Sequence, residues 1–180
     1  PQQPAHQRVS VGFPGVVIRG EVKTAPNLDT ELWRDTPLQS RIQALVDKPT
    51  RVINDAELQG YGVITGRGVE MVLTLGTGLG TALYTDGHLV ANLELGHHPF
   101  EKDKTYEQRV SNAEMKRIGK KKWSRRVGRV LDQLQPIFNY ERIYLGGGNT
   151  RHLSIDLPAN ALTFSNVEGL RGGMRVWQYQ

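Results

Sequence analysis

The chain has 180 residues, no cysteine and a formal net charge of +5. Its length fits one ordinary domain, or one full domain with part of a second, and 38% hydrophobic residues suffice for a core. The missing cysteines exclude disulfides, thiolate zinc sites and cysteine nucleophiles. No apolar run nears the roughly 18 residues of a membrane helix and nothing resembles a signal peptide, so a soluble, cytoplasmic protein is the expectation.

The polar, proline-rich residues 1–7 are expected to be extended or disordered. A strand is predicted over 8–13, broken by Pro14-Gly15, and short strands over 16–18 and 21–23 flank a turn at Arg19-Gly20. Residues 25–28 read as a loop. Thr36 then reads as an N-cap with Pro37 at the first helical position, opening a helix over 37–46 with Leu38, Ile42 and Leu45 on one face. A buried strand at 51–53 delivers Asn54-Asp55 at its carboxyl end, and a helix starts over 56–61. Residues 70–75 form an apolar strand, 81–85 return antiparallel after a glycine turn, and Asp86-Gly87 makes a tight hairpin. The longest helix is predicted over 107–135, with Trp123, Val127, Val130, Leu131 and Leu134 as its apolar stripe. A strand at 143–145 runs into Gly146-Gly147-Gly148. The last strand is expected over 162–164 and the last helix over 170–177. Strands alternating with helices define an α/β protein.

The positive charge is concentrated. Lys116, Arg117, Lys120, Lys121, Lys122, Arg125, Arg126 and Arg129 follow one another with no acidic residue between them. Such a run suits a polyanion: phosphates of a small molecule, polyphosphate or nucleic acid. The ordinary alternative is a solvated helix face. No helix-turn-helix pattern or aromatic stacking platform accompanies the run, which disfavours nucleic acid.

Three constellations carry chemistry. Asp55, at a strand's carboxyl end where open α/β sheets bind ligands, suits a general base, and it equally suits a helix N-cap before Ala56-Glu57-Leu58. Gly76-Thr77-Gly78-Leu79-Gly80 follows an apolar strand, so its backbone N–H groups can cradle phosphates, or it is a plain glycine hairpin. It is neither a Walker loop nor a dinucleotide fingerprint, because a strand follows it. Glu94-Leu95-Gly96-His97 pairs an acceptor with an imidazole, which suits a polyhydroxylated ligand. Metal binding by His97-His98 is disfavoured because adjacent histidines splay apart. Gly146-Gly147-Gly148 reads as a cap, a turn or a close nucleotide approach.

In order, Val11-Gly12-Phe13-Pro14-Gly15, Thr24-Ala25-Pro26-Asn27-Leu28, Trp33, Val52-Ile53-Asn54-Asp55-Ala56, Leu73-Thr74-Leu75 with the glycine turn, Glu94-Leu95-Gly96-His97, Glu107-Gln108-Arg109, Lys122-Trp123 and Leu145-Gly146-Gly147-Gly148 resemble the ROK sugar kinases, and within them the polyphosphate glucokinases. The resemblance implies a hexokinase/actin-like fold of ribonuclease-H-like lobes. Residues 1–50 would be the remainder of an incomplete N-terminal small lobe and the crossover, and 51–180 the large lobe with the sugar site. Asp55 would be the base that takes the proton of the glucose 6-hydroxyl. Asn27, Asn54, Glu94, His97 and Glu107 would hold the other hydroxyls. Gly76, Thr77, Gly78 and Gly80 would face donor phosphates, Gly146, Gly147 and Gly148 would lie near a nucleotide, and Lys121, Lys122 and Arg125 would form a polyphosphate track. The implied partners are glucose or a related hexose, polyphosphate or ATP with Mg2+, and a second copy in a homodimer.

Two departures matter. The cysteine-rich zinc segment that many members carry after Gly-His is replaced by His97-His98-Pro99-Phe100, so no zinc is expected. The Asp-x-Gly-Gly-Thr phosphate hairpin that opens the family is not in this sequence, so the chain by itself is expected to be a poor catalyst. The alternative reading is a non-catalytic sugar-binding or regulatory member. A nucleic-acid module ranks third.

Overall fold

The computed structural model describes residues 6–179, which leaves most of the expected extended opening outside the described residues. Strand β1 (Val9–Phe13) is followed by a small hairpin of β2 (Val17–Ile18) and β3 (Glu21–Val22), turned by Arg19 and Gly20 at φ 53° and 80°. A four-residue helix that sequence reading missed, α1 (Thr30–Trp33), is capped by the Asp29 side chain. Helix α2 (Leu38–Val46) then packs Leu38 and Ile42 onto Phe13, Val17, Val22 and Val52. Two expectations fail here. The cap position is Pro37 rather than Thr36, because the Thr36 carbonyl is held by the N–H groups of Val22 and Leu38. Leu45, placed on the apolar face, is 84% exposed.

Strand β4 (Thr50–Asn54) runs parallel to β1 in full register, so the lobe boundary expected after residue 50 falls inside a strand. Helix α3 (Asp55–Tyr61) follows at once. The second sheet begins with the antiparallel meander β5 (Val69–Leu75), β6 (Leu79–Thr85) and β7 (His88–Val90). A single 3-10 turn (Leu95–His97) and the unforeseen hairpin β8 (Pro99–Glu101) and β9 (Lys104–Thr105) lead into the helices.

The one long helix expected over 107–135 is three: α4 (Tyr106–Val110), α5 (Asn112–Ile118) and α6 (Lys120–Phe138). Ser111 leaves the helical region at ψ 161° and caps α5 through the Glu114 N–H, and Gly119 breaks the chain again at φ 84°. The predicted stripe on α6 does bury Trp123, Val127, Val130, Leu131 and Leu134.

Strand β10 (Arg142–Gly146) pairs parallel with β5, and β11 (Ala161–Thr163) pairs parallel with β10. The sheet order is therefore β11-β10-β5-β6-β7. Helix α7 (Asn166–Leu170) starts before the final helix expected at 170, and α8 (Gly172–Arg175) follows after the single residue Arg171.

The near-continuous apolar run in β5 is explained by cover on both faces. Met71, Leu73 and Leu75 pack with the α6 stripe, whereas Val72 on the opposite face joins Tyr61, Tyr84, Tyr144 and Phe164. Glu70 is fully buried in the same strand and is saturated by the Thr65 and Gly66 N–H groups and the Thr65 and Tyr144 hydroxyls. Among the described residues, no helix is long and apolar enough to cross a membrane. Strands β4, β5 and β10 all deliver their carboxyl ends to one cleft.

Candidate active site

At the end of β4 the two neighbouring polar residues divide their tasks. The Asn54 Oδ1 accepts the N–H groups of Ala56 at 2.8 Å and Glu57 at 3.3 Å, and its Nδ2 donates to the Gly15 carbonyl at 3.2 Å. Asn54 is thus the cap of α3, the role weighed for Asp55 from sequence. Asp55 is the first helical residue, with Oδ1 2.8 Å from the Ala56 N and its carboxyl on the cleft. Burial raises this carboxyl above its ordinary pKa, against the lowering effect of the Ala56 N–H.

The glycine turn is tied from two sides. Glu107 on α4 reaches under it and accepts the Leu79 N–H at 3.1 Å, an approach that a Cβ at Gly78 would obstruct. The Gly76 carbonyl accepts from the Asn112 N–H and the Asn149 side chain, each at 3.1 Å. Gly147, at φ 86°, lies so close to the Leu75 backbone that a side chain has no room. The N–H groups of Thr77, Gly78 and Gly148 have no hydrogen-bond partner among the described residues.

The turn Leu95–His97 sets Glu94 beside His97, with Oε2 3.6 Å from Nε2. Burial raises the Glu94 carboxyl; Glu107 and Asp55 add to the rise through like charge, and His97 opposes it. Gly96 is buried against the Leu79 carbonyl, which brings this turn up to the glycine turn.

A single cleft of about 410 Å³ is lined by Asn27, Asn54, Asp55, Gly76, Thr77, Gly78, Gly80, Glu94, His97, Glu107, Gly147 and Gly148. Four residues singled out in the sequence lie elsewhere. Gly146 is buried against the Phe164 ring, so its lack of a side chain serves packing. Lys121, Lys122 and Arg125 are exposed on α6, outside the cleft lining. Within the same basic run, Arg117, Arg126 and Arg129 are paired with Glu114 or Glu101.

Sequence reading missed Gln59, Thr74 and Asn166, which also line the cleft. Gln59 follows Asp55 by one helical turn, a spacing that could have drawn attention to it. Nothing in the sequence marked Asn166. Among the described residues, no group of three His, Asp or Glu side chains is arranged to hold a metal ion.

The meander β5–β7 joined to parallel β10 and β11, with a cleft at the strand ends that also takes in the end of β4, is the hexokinase/actin-like fold. The chain belongs to the ROK family, whose model matches residues 1–112. It is 30% identical over 179 residues to the polyphosphate glucokinase of Mycobacterium leprae (strain TN), covering 91% of this chain and 55% of that protein. The chain therefore spans about half the length of the relatives it matches. The crystal structure of an inorganic polyphosphate/ATP-glucomannokinase from Arthrobacter sp. strain KM superposes with a TM-score of 0.83 at 29% identity, covering 98% of this chain and 76% of that one. A ROK family glucokinase from Streptomyces griseus, in complex with glucose and AMPPNP, gives 0.75 at 19% identity, over 93% and 80% of the two chains, and so shares the fold.

Proposed function

We propose that this chain carries the sugar site of a kinase that moves a phosphoryl group from polyphosphate or ATP to the 6-hydroxyl of glucose. The observation that carries this reading is the one cleft that joins a half-buried carboxyl, further carboxylates with a histidine, and two glycine turns with unpaired N–H groups.

In this reading Asp55 accepts the proton of the attacking hydroxyl as the phosphoryl group departs from the donor. Glu94 and Glu107 accept hydrogen bonds from the remaining hydroxyls, His97 adds a donor or an acceptor, and Asn27 contributes its amide. Asn54 has its oxygen committed to the cap, so its contact comes from Nδ2. A hexose lacking one of these hydroxyls would cover a polar group without pairing it, which is the physical basis of selection.

The Thr77, Gly78 and Gly148 N–H groups would receive the donor phosphates, with open space beside Gly76, whereas the missing side chains of Gly80 and Gly147 let the backbone approach Thr74 and Leu75. The Thr77 hydroxyl, on the same cleft, suits a magnesium ion held mostly by donor phosphates and water, which needs few protein ligands and leaves Asp55 as the base. Bound with the donor, magnesium neutralises charge on the phosphates. Lys121, Lys122 and Arg125, exposed and without ion pairs among the described residues, would attract a long polyphosphate outside the cleft. The names of the Mycobacterium and Arthrobacter relatives support this sugar and these donors.

The test is a glucose 6-phosphate assay of the protein with polyphosphate and with MgATP. Product from either donor, abolished by Asp55→Asn, is the expected result. Glucose binding without product from either donor would instead favour a non-catalytic sugar-binding protein.

A further inference from the structure

Glu57 is 3% exposed on α3, two residues beyond Asp55, and does not line the cleft. A carboxylate at such depth is costly unless it is hydrogen-bonded. Its Oε1 accepts the Asn92 N–H at 2.7 Å, and Asn92 adopts a left-handed φ of 62°. At the next residue, the Leu93 carbonyl accepts the hydroxyl of the buried Thr81 at 2.7 Å. The Tyr84 hydroxyl donates to the Glu57 carbonyl, which fixes that turn of α3 against β6.

Two consecutive residues immediately ahead of Glu94 are therefore tied by side chains of two different elements. The backbone hydrogen bonds within the segment are tight local turns, from the Glu94 N–H to the Asn92 carbonyl, the Leu95 N–H to the Leu93 carbonyl, the His97 N–H to the Glu94 carbonyl and the His98 N–H to the Leu95 carbonyl. Leu95 packs on the core and Gly96 lies against the Leu79 carbonyl, and the two ties fix the end of the segment that leads into Glu94.

We propose that Glu57 and Thr81 are positioning residues, which set the placement of Glu94 and His97 and thereby the affinity for a hexose. This rests on the sugar-site reading above. Neither residue touches the sugar. Both act through the backbone of Asn92 and Leu93, so an acceptor at position 57 matters more than its charge.

The experiment is a calorimetric titration of glucose into this chain and its Glu57→Ala, Glu57→Gln and Thr81→Val variants, with thermal midpoints measured in parallel. Glu57→Ala and Thr81→Val are each expected to weaken glucose binding about tenfold, the scale of one lost buried hydrogen bond. Glu57→Gln keeps an oxygen for the Asn92 N–H and should stay within about threefold of the parent. Thr81→Val removes a hydroxyl from a strand, so it carries the test even where Glu57→Ala does not fold. Variants with lowered midpoints but unchanged glucose affinity would show mere structural support and overturn the inference alone. A parent chain that binds no glucose would overturn the sugar-site reading and this inference with it.

Discussion

Asn54 caps helix α3 with its side-chain oxygen, so that Asp55, the next residue, enters the helix with its carboxyl turned to the cleft. The cap fixes the first turn of α3, and a second bond ties Asn54 to the Gly15 carbonyl. Asn54→Ala should lower stability by about 1 kcal/mol, the usual cost of losing such a cap. Asn54→Asp keeps the capping oxygen and should recover most of that loss. Urea denaturation of the two variants checks this, and equal stabilities would remove the cap from the account.

Asp55→Asn should lower kcat by about 10²–10⁴ while leaving glucose affinity nearly unchanged. The pH profile adds a second check. Burial raises the Asp55 carboxyl above the ordinary aspartate value of 3.8, so the base is protonated, and the rate falls, at a pH above that value. An acid limb of kcat/KM at or below 3.8 contradicts the assignment of Asp55 as the base.

Gly76 and Gly78 make different demands on the same turn. A Cβ at Gly78 would displace the Glu107 carboxylate, whereas one at Gly76 meets nothing within 4 Å. Gly78→Ala should therefore weaken glucose binding by about tenfold through Glu107, the cost of one displaced hydrogen-bonding group. If the glycine turn receives the donor as proposed, Gly76→Ala should leave glucose affinity and stability alone and raise the KM for the phosphoryl donor, because its methyl enters the open space at the turn. Titration and donor kinetics on both variants separate the two effects.

Glu114 gives a prediction for stability. Arg117 and, against the cost of burial, Arg126 hold its carboxyl at about 2. A depressed carboxylate contributes stability that is fully present above its unfolded value of 4.5 and is lost as pH falls through about 2. The contribution is on the order of 1–3 kcal/mol, reduced by the exposure of Arg117. Glu114→Gln should lower the thermal midpoint at neutral pH and converge with the parent near pH 2. A constant difference across that range would rule out the ionised pair as its source.

The sheet was legible where local pattern and burial agree. The apolar run in β5, the glycine turn and the returning β6 follow from residues 69–85 alone. The helical region was not, because the apolar stripe of α6 gave no sign of the breaks before it. The signals were present in capping chemistry: Thr105 with Gln108 and Ser165 with Glu168 form capping boxes at the starts of α4 and α7, and Ser111 caps α5 three residues before Glu114. Leu45 is exposed because burial is set by what faces the helix, which periodicity does not state. Most residues singled out for the site meet in one cleft because motifs at strand ends converge. Gln59, Thr74 and Asn166 were missed because they are ordinary polar residues whose place depends on how α3, β5 and α7 pack together.

The most direct test of the sugar site is a calorimetric titration of this chain and its Glu94→Gln variant with glucose, with folding of both verified by circular dichroism. Saturable glucose binding, weakened about tenfold by Glu94→Gln, is the predicted result. No saturable binding of glucose by the folded parent chain would contradict it.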